Sequence, residues 1–334
     1  MSEINGVIIL NKPRGMTSFD CVFKVRKALG VKKAGHTGTL DPNATGVLPI
    51  CLGKATKAVS MVQEGSKVYK AEMILGLETD TYDVTGEVLR DNREHINVMG
   101  DEPADADNSG QIIITKDVLR NAINDFVGEQ DQMPPIYSAK KVNGKKLYEY
   151  AREGQDVEIR PTHINIEKID LLSFDGKRAE ICVFCSKGTY IRSLIHDIGK
   201  ALGCGAVMGD LLRERTGHFS IEDAVTLDEI NENIIEENGE KVFSDFLQKK
   251  IIPTSDIFSY SILHVTEEYE KNALNGMKLY AVDFEEGINE FTDEYYKIFL
   301  KNDFFVGIYE RDGEFIRPFK MFLIDESDSQ PLIA

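Results

Sequence analysis

Residues 35 to 57, GHTGTLDPNATGVLPICLGKATK, constrain the architecture more than any other stretch. Gly35, Gly38, Gly46 and Gly53, with Pro42 and Pro49, disfavour helix and weaken strand, whereas the interspersed hydroxyls and Asn43 suit tight turns. The segment therefore predicts a loop that presents side chains from a scaffold built elsewhere in the chain. Asp41 stands at its tip, its backbone restricted by Pro42. Taken alone, an Asp-Pro pair does no more than stabilise a turn.

The scaffold is legible on both sides of that loop. From Gly6 to Gly217, short β-rich runs alternate with helical patterns, which predicts an α/β or α+β body. VIIL reads as a strand, and Ser18 as the cap of a helix carrying Phe19, Val22, Phe23, Arg26 and Leu29, closed by Gly30. KVYKAEMIL, residues 67 to 75, alternates like a strand with one wet face, with TGEVL as its hairpin or edge partner. Thr115 caps a helix running through Phe126 and ended by Gly128, and AKKVNGKKLYEYAREG reads as a basic loop entering a helix. Residues 160 to 186 supply two more strands. TYIRSLIHDIGKAL then opens a helix at Gly188 and Thr189, with Ile191, Leu194, Ile195, Ile198 and Leu202 on one side. From about Lys250 the pattern becomes aromatic, β-rich runs (KLYAVDF, YYKIFL, FFVGIYE, FIRPFKMFL), which predict a small barrel or sandwich. With 334 residues the chain is longer than an ordinary domain of about 100 to 200. We place the domains at 1–250 and 251–334.

A net charge of −17 speaks against a polyanion partner only if charge is spread evenly, and it is not. Residues 1–90 carry +3, 91–112 carry −5, 113–220 carry +1 and 221–334 carry −16. The acidity sits in a short insert, read as a solvated excursion, and in the C-terminal third, leaving the body free to form a positive groove. No run of about 18 apolar residues and no leader pattern is present, which excludes a helical membrane span and predicts a cytoplasmic protein. Five cysteines fit reduced thiols better than a disulfide framework. Cys182 and Cys185 form a lone C-x2-C on a predicted strand, so no metal site is expected, and the Walker and dinucleotide-binding glycine spacings are both missing.

Five blocks, in order, resemble the TruB family of tRNA pseudouridine synthases: NKPRGMTSFD, the 35–57 loop, KVYKAEMILGLETDTYDVTGEV, PPIYSAKKVNGKKLYEYAREG and CSKGTYIRSLIHDIGKALGCGA. The likeness covers roughly Gly6 to Leu227, and more weakly a C-terminal barrel similar to a PUA RNA-binding domain. It implies a catalytic domain with a mixed, largely antiparallel sheet flanked by helices, plus a small PUA-like β-barrel. It also implies isomerisation of uridine to pseudouridine at position 55 in the T-loop of tRNA, by base flipping and without cofactor or metal. Under this resemblance Asp41 is the nucleophile and Arg192 its ion-pair partner. Tyr69 stacks on the flipped uracil and assists removal of the C5 proton. His36 fills the space that the flipped nucleotide leaves. Tyr190 and Leu211 contact the substrate, Leu212 being the neighbouring alternative, and Lys12 positions loop or RNA groups. Lys140, Lys141, Lys145 and Lys146, with Tyr148 and Tyr150, form a basic flap over RNA across residues 134–154. The run CGAVMGDLLRERTGHF departs from the family pattern, which bears on local RNA contacts. The expected partner is the tRNA T-arm, with a monomeric chain and no obligatory protein partner. Two alternatives are a catalytically silent RNA-binding module or tRNA-folding chaperone, and a guide-RNA-dependent rRNA pseudouridine synthase.

Overall fold

Residues 4–97, 112–237 and 239–323 are described by a computed structural model. Ten strands form one mixed sheet: β1 (Gly6–Lys12), β2 (Ala34–His36), β3 (Thr45–Leu52), β4 (Lys67–Leu75), β5 (Gly128–Gln132), β6 (Thr162–Phe174), β7 (Arg178–Cys185), β8 (Ala206–Thr216), β9 (Phe219–Ser220) and β10 (Ile251–Pro253). The spatial order is β10-β1-β3-β8-β4-β7-β6-β5, with β2 beside β3 and β9 beside β8. All its pairings are antiparallel except β3 with β8, where Thr45 faces Leu212 and Gly46 faces Arg213. Gly46 has φ of +103°, and a Cβ there would lie 2.3 Å from the Arg213 carbonyl oxygen, so glycine is what lets these two strands meet.

Four helices matter for the site: α1 (Ser18–Leu29), α2 (Lys116–Asn124), α3 (Leu147–Arg152) and α4 (Ile191–Ala201). The apolar side of α4 (Ile191, Leu194, Ile195, Ile198), together with Leu119 and Ile123 of α2, packs on Ala71, Met73, Ile181 and Val183. Helix α1 sets Cys21, Val22, Val25 and Leu29 against Ile8, Leu10, Leu48 and Ile50. The alternate residues of β1, Val7 and Ile9, point the other way, into a cluster with Phe258, Phe305 and Phe322. That cluster joins the large sheet to a curled five-stranded half-barrel of β11 (Ser261–His264), β12 (Leu279–Tyr280), β13 (Tyr295–Phe299), β14 (Phe305–Asp312) and β15 (Phe315–Met321), ordered β11-β13-β14-β15-β12.

Several elements differ from the sequence expectation. The glycine-rich loop is confined to 37–44, because TGVLPICL becomes the almost wholly buried strand β3, where apolar burial outweighs the poor propensity of Gly46 and Pro49. The cap of α1 is Thr17, whose hydroxyl accepts from the Asp20 amide at 3.1 Å; Ser18 is drawn away by a tertiary contact. TGEVL pairs not with β4 but, through Val88–Asp91, with Leu77–Thr79. Helix α2 ends at Asn124, and Gly128 opens β5. Within the acidic insert expected at 91–112, Arg93–His95 is a helical turn and Ile96 is buried in the core; residues 98–111 lie outside the described residues. Ile251–Pro253, placed in the second unit by sequence, is an edge strand of the first sheet, and the second sheet begins at Ser261.

Candidate active site

The loop that carries Asp41 is clamped from three directions. The Ser18 hydroxyl accepts from the Leu40 amide at 2.9 Å and lies 3.2 Å from the Leu40 carbonyl, fixing the residue before the aspartate. The Gly15 amide donates to the Pro42 carbonyl, and the Ala44 amide closes a turn onto the Asp41 carbonyl. Beneath them the fully buried Lys12 ammonium donates to the carbonyls of Pro13, Pro42 and Ala44 at 2.9, 3.0 and 2.7 Å. Burial lowers the Lys12 pKa, opposed by Asp41, but three carbonyl acceptors match the three protons of an ammonium group. Leu40 and Ala44 drop into the core on either side, so the loop is anchored like a cap while Asp41 projects.

Arg192, in the first turn of α4, grips that carboxylate with two bonds, Nε to Oδ2 at 2.9 Å and Nη2 to Oδ1 at 3.0 Å. The same guanidinium donates to the carbonyls of Thr81 and Tyr137 and lies 3.6 Å from the Asp83 carboxylate. Arg192 is 6% exposed at its side chain and Asp41 37%, so the cation is sealed in while the anion stays reachable. Burial raises the Asp41 pKa above the ordinary carboxylate value; Arg192 pulls it back down, and Asp83 pushes it up.

Asp41 opens into a cavity of about 460 Å³, within the span of roughly 300 to 1,000 Å³ typical of ligand pockets. Tyr69 from β4, Leu211 and Arg213 from β8, Lys67, and Tyr190 with Arg192 at the start of α4 line it. Of the two adjacent candidates, Leu211 lines the cavity and Leu212 does not. Tyr69 is buried, which raises its phenol pKa, while Arg213 opposes the rise by charge and by a hydrogen bond. Arg213 is itself buried, bonded to the carbonyls of Val47 and Gly38. The Lys67 ammonium donates to the carbonyls of Gln63 and Gly65, and burial brings it down to about 8. Tyr190 is fixed by its backbone, which exchanges two bonds with the Gln132 amide.

The remaining candidates fall outside this ring or serve it differently. His36 ends β2 beyond the cavity lining, its Nδ1 accepting from the Gly38 amide at 3.3 Å, and burial lowers its pKa, favouring the neutral imidazole. Lys12, expected to position loop or RNA groups, has no exposed surface and spends its ammonium on the loop carbonyls. Within the 134–154 flap, Lys141–Val142 pairs with Lys145–Lys146 as a short hairpin where a loop was expected, and leads into α3, the helix expected after it. Lys140 lines the cavity but is tied to the Arg160 carbonyl and the Thr162 hydroxyl. Lys145 pairs with Glu153 and lies over the Tyr150 ring, Lys146 bonds the Tyr148 hydroxyl, and Lys141 is exposed. Sequence reasoning gave no role to Asp83, Lys67 or Arg213, although Lys67 and Asp83 lie inside the third block and Arg213 inside CGAVMGDLLRERTGHF. Cys182 and Cys185 sit three apart on β7 and so point to opposite faces, which no single metal ion can bridge.

Residues 26–191 match the TruB family pseudouridylate synthase (N terminal domain), and residues 192–259 match the tRNA pseudouridylate synthase B C-terminal domain. The tRNA pseudouridine synthase B of Clostridium perfringens (strain 13 / Type A) is 42% identical over 327 residues, 97% of this chain and 100% of that one. That of Alkaliphilus oremlandii (strain OhILAs) is 40% identical over 303 residues, 90% and 91% of the two chains. Among solved structures, a chain of a Cbf5-Nop10-Gar1 complex superposes with a TM-score of 0.67 at 27% identity, covering 96% of this chain and 85% of that one. An H/ACA RNP bound to a substrate RNA containing 2'-deoxyuridine gives 0.66 at 25% identity, covering 95% and 85%. Fold and site thus define a pseudouridine synthase. The chain belongs to the TruB family.

Proposed function

We propose that this chain isomerises uridine to pseudouridine at position 55 in the T-loop of tRNA. The observation that carries the reading is the Asp41 carboxylate, held by two nitrogens of a sealed guanidinium in a cavity walled by Tyr69 and Leu211. The uracil N1 to C1′ bond breaks, the base turns, and a C5 to C1′ bond forms; the C5 proton leaves and N1 gains one, so nothing is added or lost. Such a path needs a nucleophile for one fragment and walls that retain the other. Asp41 supplies the first by attack at the ribose anomeric carbon or at C6 of the ring. Because the uridine starts inside a folded loop, it must be flipped out, at a cost of a few kcal/mol offset by contacts in the cavity. Tyr69 offers a ring to stack on the base; burial raises its phenol pKa, and Arg213 beside the hydroxyl offsets part of that rise, easing the proton transfer asked of it. His36, neutral at pH 7, takes the vacated space in the T-loop, while Tyr190 and Leu211 hold the base and the flap lysines lie over the RNA.

The two relatives above, at 40% or more identity over nine-tenths of the chain, carry the tRNA assignment in their names. The guide-RNA alternative draws on structures of 25–27% identity, and the two readings separate on bare tRNA. We also read the chain as a cytoplasmic monomer needing no protein partner, with a catalytic domain followed by a PUA-like module. The deciding measurement is tritium release from tRNA carrying C5-tritiated uridine, with the modified position mapped. Wild type alone should release it from the T-loop, and Asp41→Asn should lose turnover while binding tRNA within about threefold, since the change is nearly isosteric and removes only the charge. Turnover by Asp41→Asn would end this mechanism. Tight binding without turnover by wild type would leave the chaperone reading or a missing guide RNA.

A further inference from the structure

The cavity accounts for one flipped nucleotide, yet a strongly basic stretch of the chain lies outside it. Residues 14–33 hold six Lys or Arg against one acidic residue, Asp20, in a chain of net charge −17. That Asp is committed to the α1 cap, accepting from the Thr17 amide and hydroxyl. Helix α1 buries Cys21, Val22, Val25 and Leu29, and turns Phe19, Phe23, Lys24, Arg26 and Lys27 to solvent. Phe19 is 73% exposed and Phe23 50%, one helical turn apart, with the Arg26 guanidinium 5.6 Å from the Phe23 ring centre. Two uncovered aromatic rings bordered by cations match single-stranded or looped RNA, whose bases stack on rings and guanidinium planes while phosphates meet lysines.

The position of this face ties it to the site. Ser18, next to Phe19, holds Leu40, the residue before the nucleophile, so the start of a helix about 18 Å long is tied to the catalytic loop. At the far end of the helix lies a second recess of about 490 Å³, where Lys24, Lys27 and Lys241 outnumber the single acidic residue, Asp228. The Lys241 ammonium donates to the carbonyls of Lys27 and Ala28, holding the last turn of α1 in place.

We propose that the outward face of α1 is a second RNA-contact surface, which holds the part of the tRNA lying beyond the T-loop. Phe19 and Phe23 stack on unpaired bases, and Lys24, Arg26 and Lys27 meet phosphates. The inference rests on the tRNA reading above. An RNA already seated in the cavity presents its remainder to this face at high effective concentration, which an unrelated acidic protein would not.

The test compares an intact tRNA transcript with an isolated T-arm hairpin, both carrying C5-tritiated uridine, at several salt concentrations. The variants are Lys24→Gln/Arg26→Gln/Lys27→Gln, which keeps helix propensity, and Phe19→Ser/Phe23→Ser. On intact tRNA the triple variant should lose about tenfold in kcat/KM, with a log–log salt slope shallower by about 2. The double variant should lose about fivefold or more with the slope unchanged. On the hairpin, both should stay within about twofold of wild type, which also shows that they are folded. Equal losses on the two substrates, or wild-type kinetics on intact tRNA, would overturn the inference, the latter leaving the face to a protein partner. Wild type inactive on both substrates would instead overturn the tRNA reading itself.

Discussion

Arg192 meets two carboxylates and two carbonyls with one guanidinium, and its neighbours set the charge of the nucleophile. Burial raises the Asp41 pKa, against the pull of Arg192, and Asp83 adds to the rise, so the protonated, inactive form sets in at a higher pH than for an ordinary carboxylate. Turnover therefore falls as pH drops through the Asp41 pKa. Asp83→Asn removes one raising charge and should move that acid limb to lower pH; a pH–rate profile on the hairpin substrate checks the direction, and an upward move contradicts the assignment. Tyr69→Phe should keep the stacking ring but slow turnover on the order of 10²-fold if the hydroxyl carries the C5 proton, whereas an unchanged single-turnover rate would reduce Tyr69 to packing. At this scale the sequence was most legible where a residue belongs to a local motif, as Asp41 and Arg192 do. Lys67 and Arg213 were not legible because their roles come from neighbouring strands: nothing in GDLLRER says that its first arginine turns inward beneath Tyr69.

At the scale of elements, periodicity located α1, α4, β4, β6 and β7, because each has an apolar face long enough to show its repeat. It missed β3 and β8, the two strands beside the nucleophile, since TGVLPICL and AVMGDLLRERT carry glycine, proline or charge where strands usually do not. What fixes them is their mutual contact. Gly46 sits where the Arg213 backbone leaves no room for a side chain, in a conformation that L residues avoid. Gly46→Ala should then cost about 3 kcal/mol or more and part β3 from β8; urea unfolding reads the first effect and loss of turnover in the folded fraction the second. A variant of wild-type stability would mean that the junction gives way easily.

Across the whole molecule, the half-barrel is not a loose appendage. Phe258, Phe305 and Phe322 pack with Val7, Ile9 and Val47 from the back of the catalytic sheet, and Lys57 reaches the carbonyl of Met321. Phe322 is fully buried, and Phe322→Ala should destabilise the fold by roughly 3 to 5 kcal/mol, read as a lower unfolding midpoint, while hairpin turnover stays near wild type below that midpoint. A two-step unfolding curve already in wild type would argue against one cooperative unit. The charge split visible in the sequence fits this arrangement: the acidic third can be joined to a body that handles RNA because burial, not charge, makes the joint. The long reach between Asp41 and Arg192, 151 residues apart in sequence, also sets a timetable. A ribosome builds the nucleophile early, its counter-ion much later and the Leu211 and Arg213 wall later still. A growing chain that has not yet released β8 holds only a carboxylate on a loop, in a cell crowded with the tRNAs that are feeding its own synthesis. The wall of the site is complete only once β8 lies between β3 and β4.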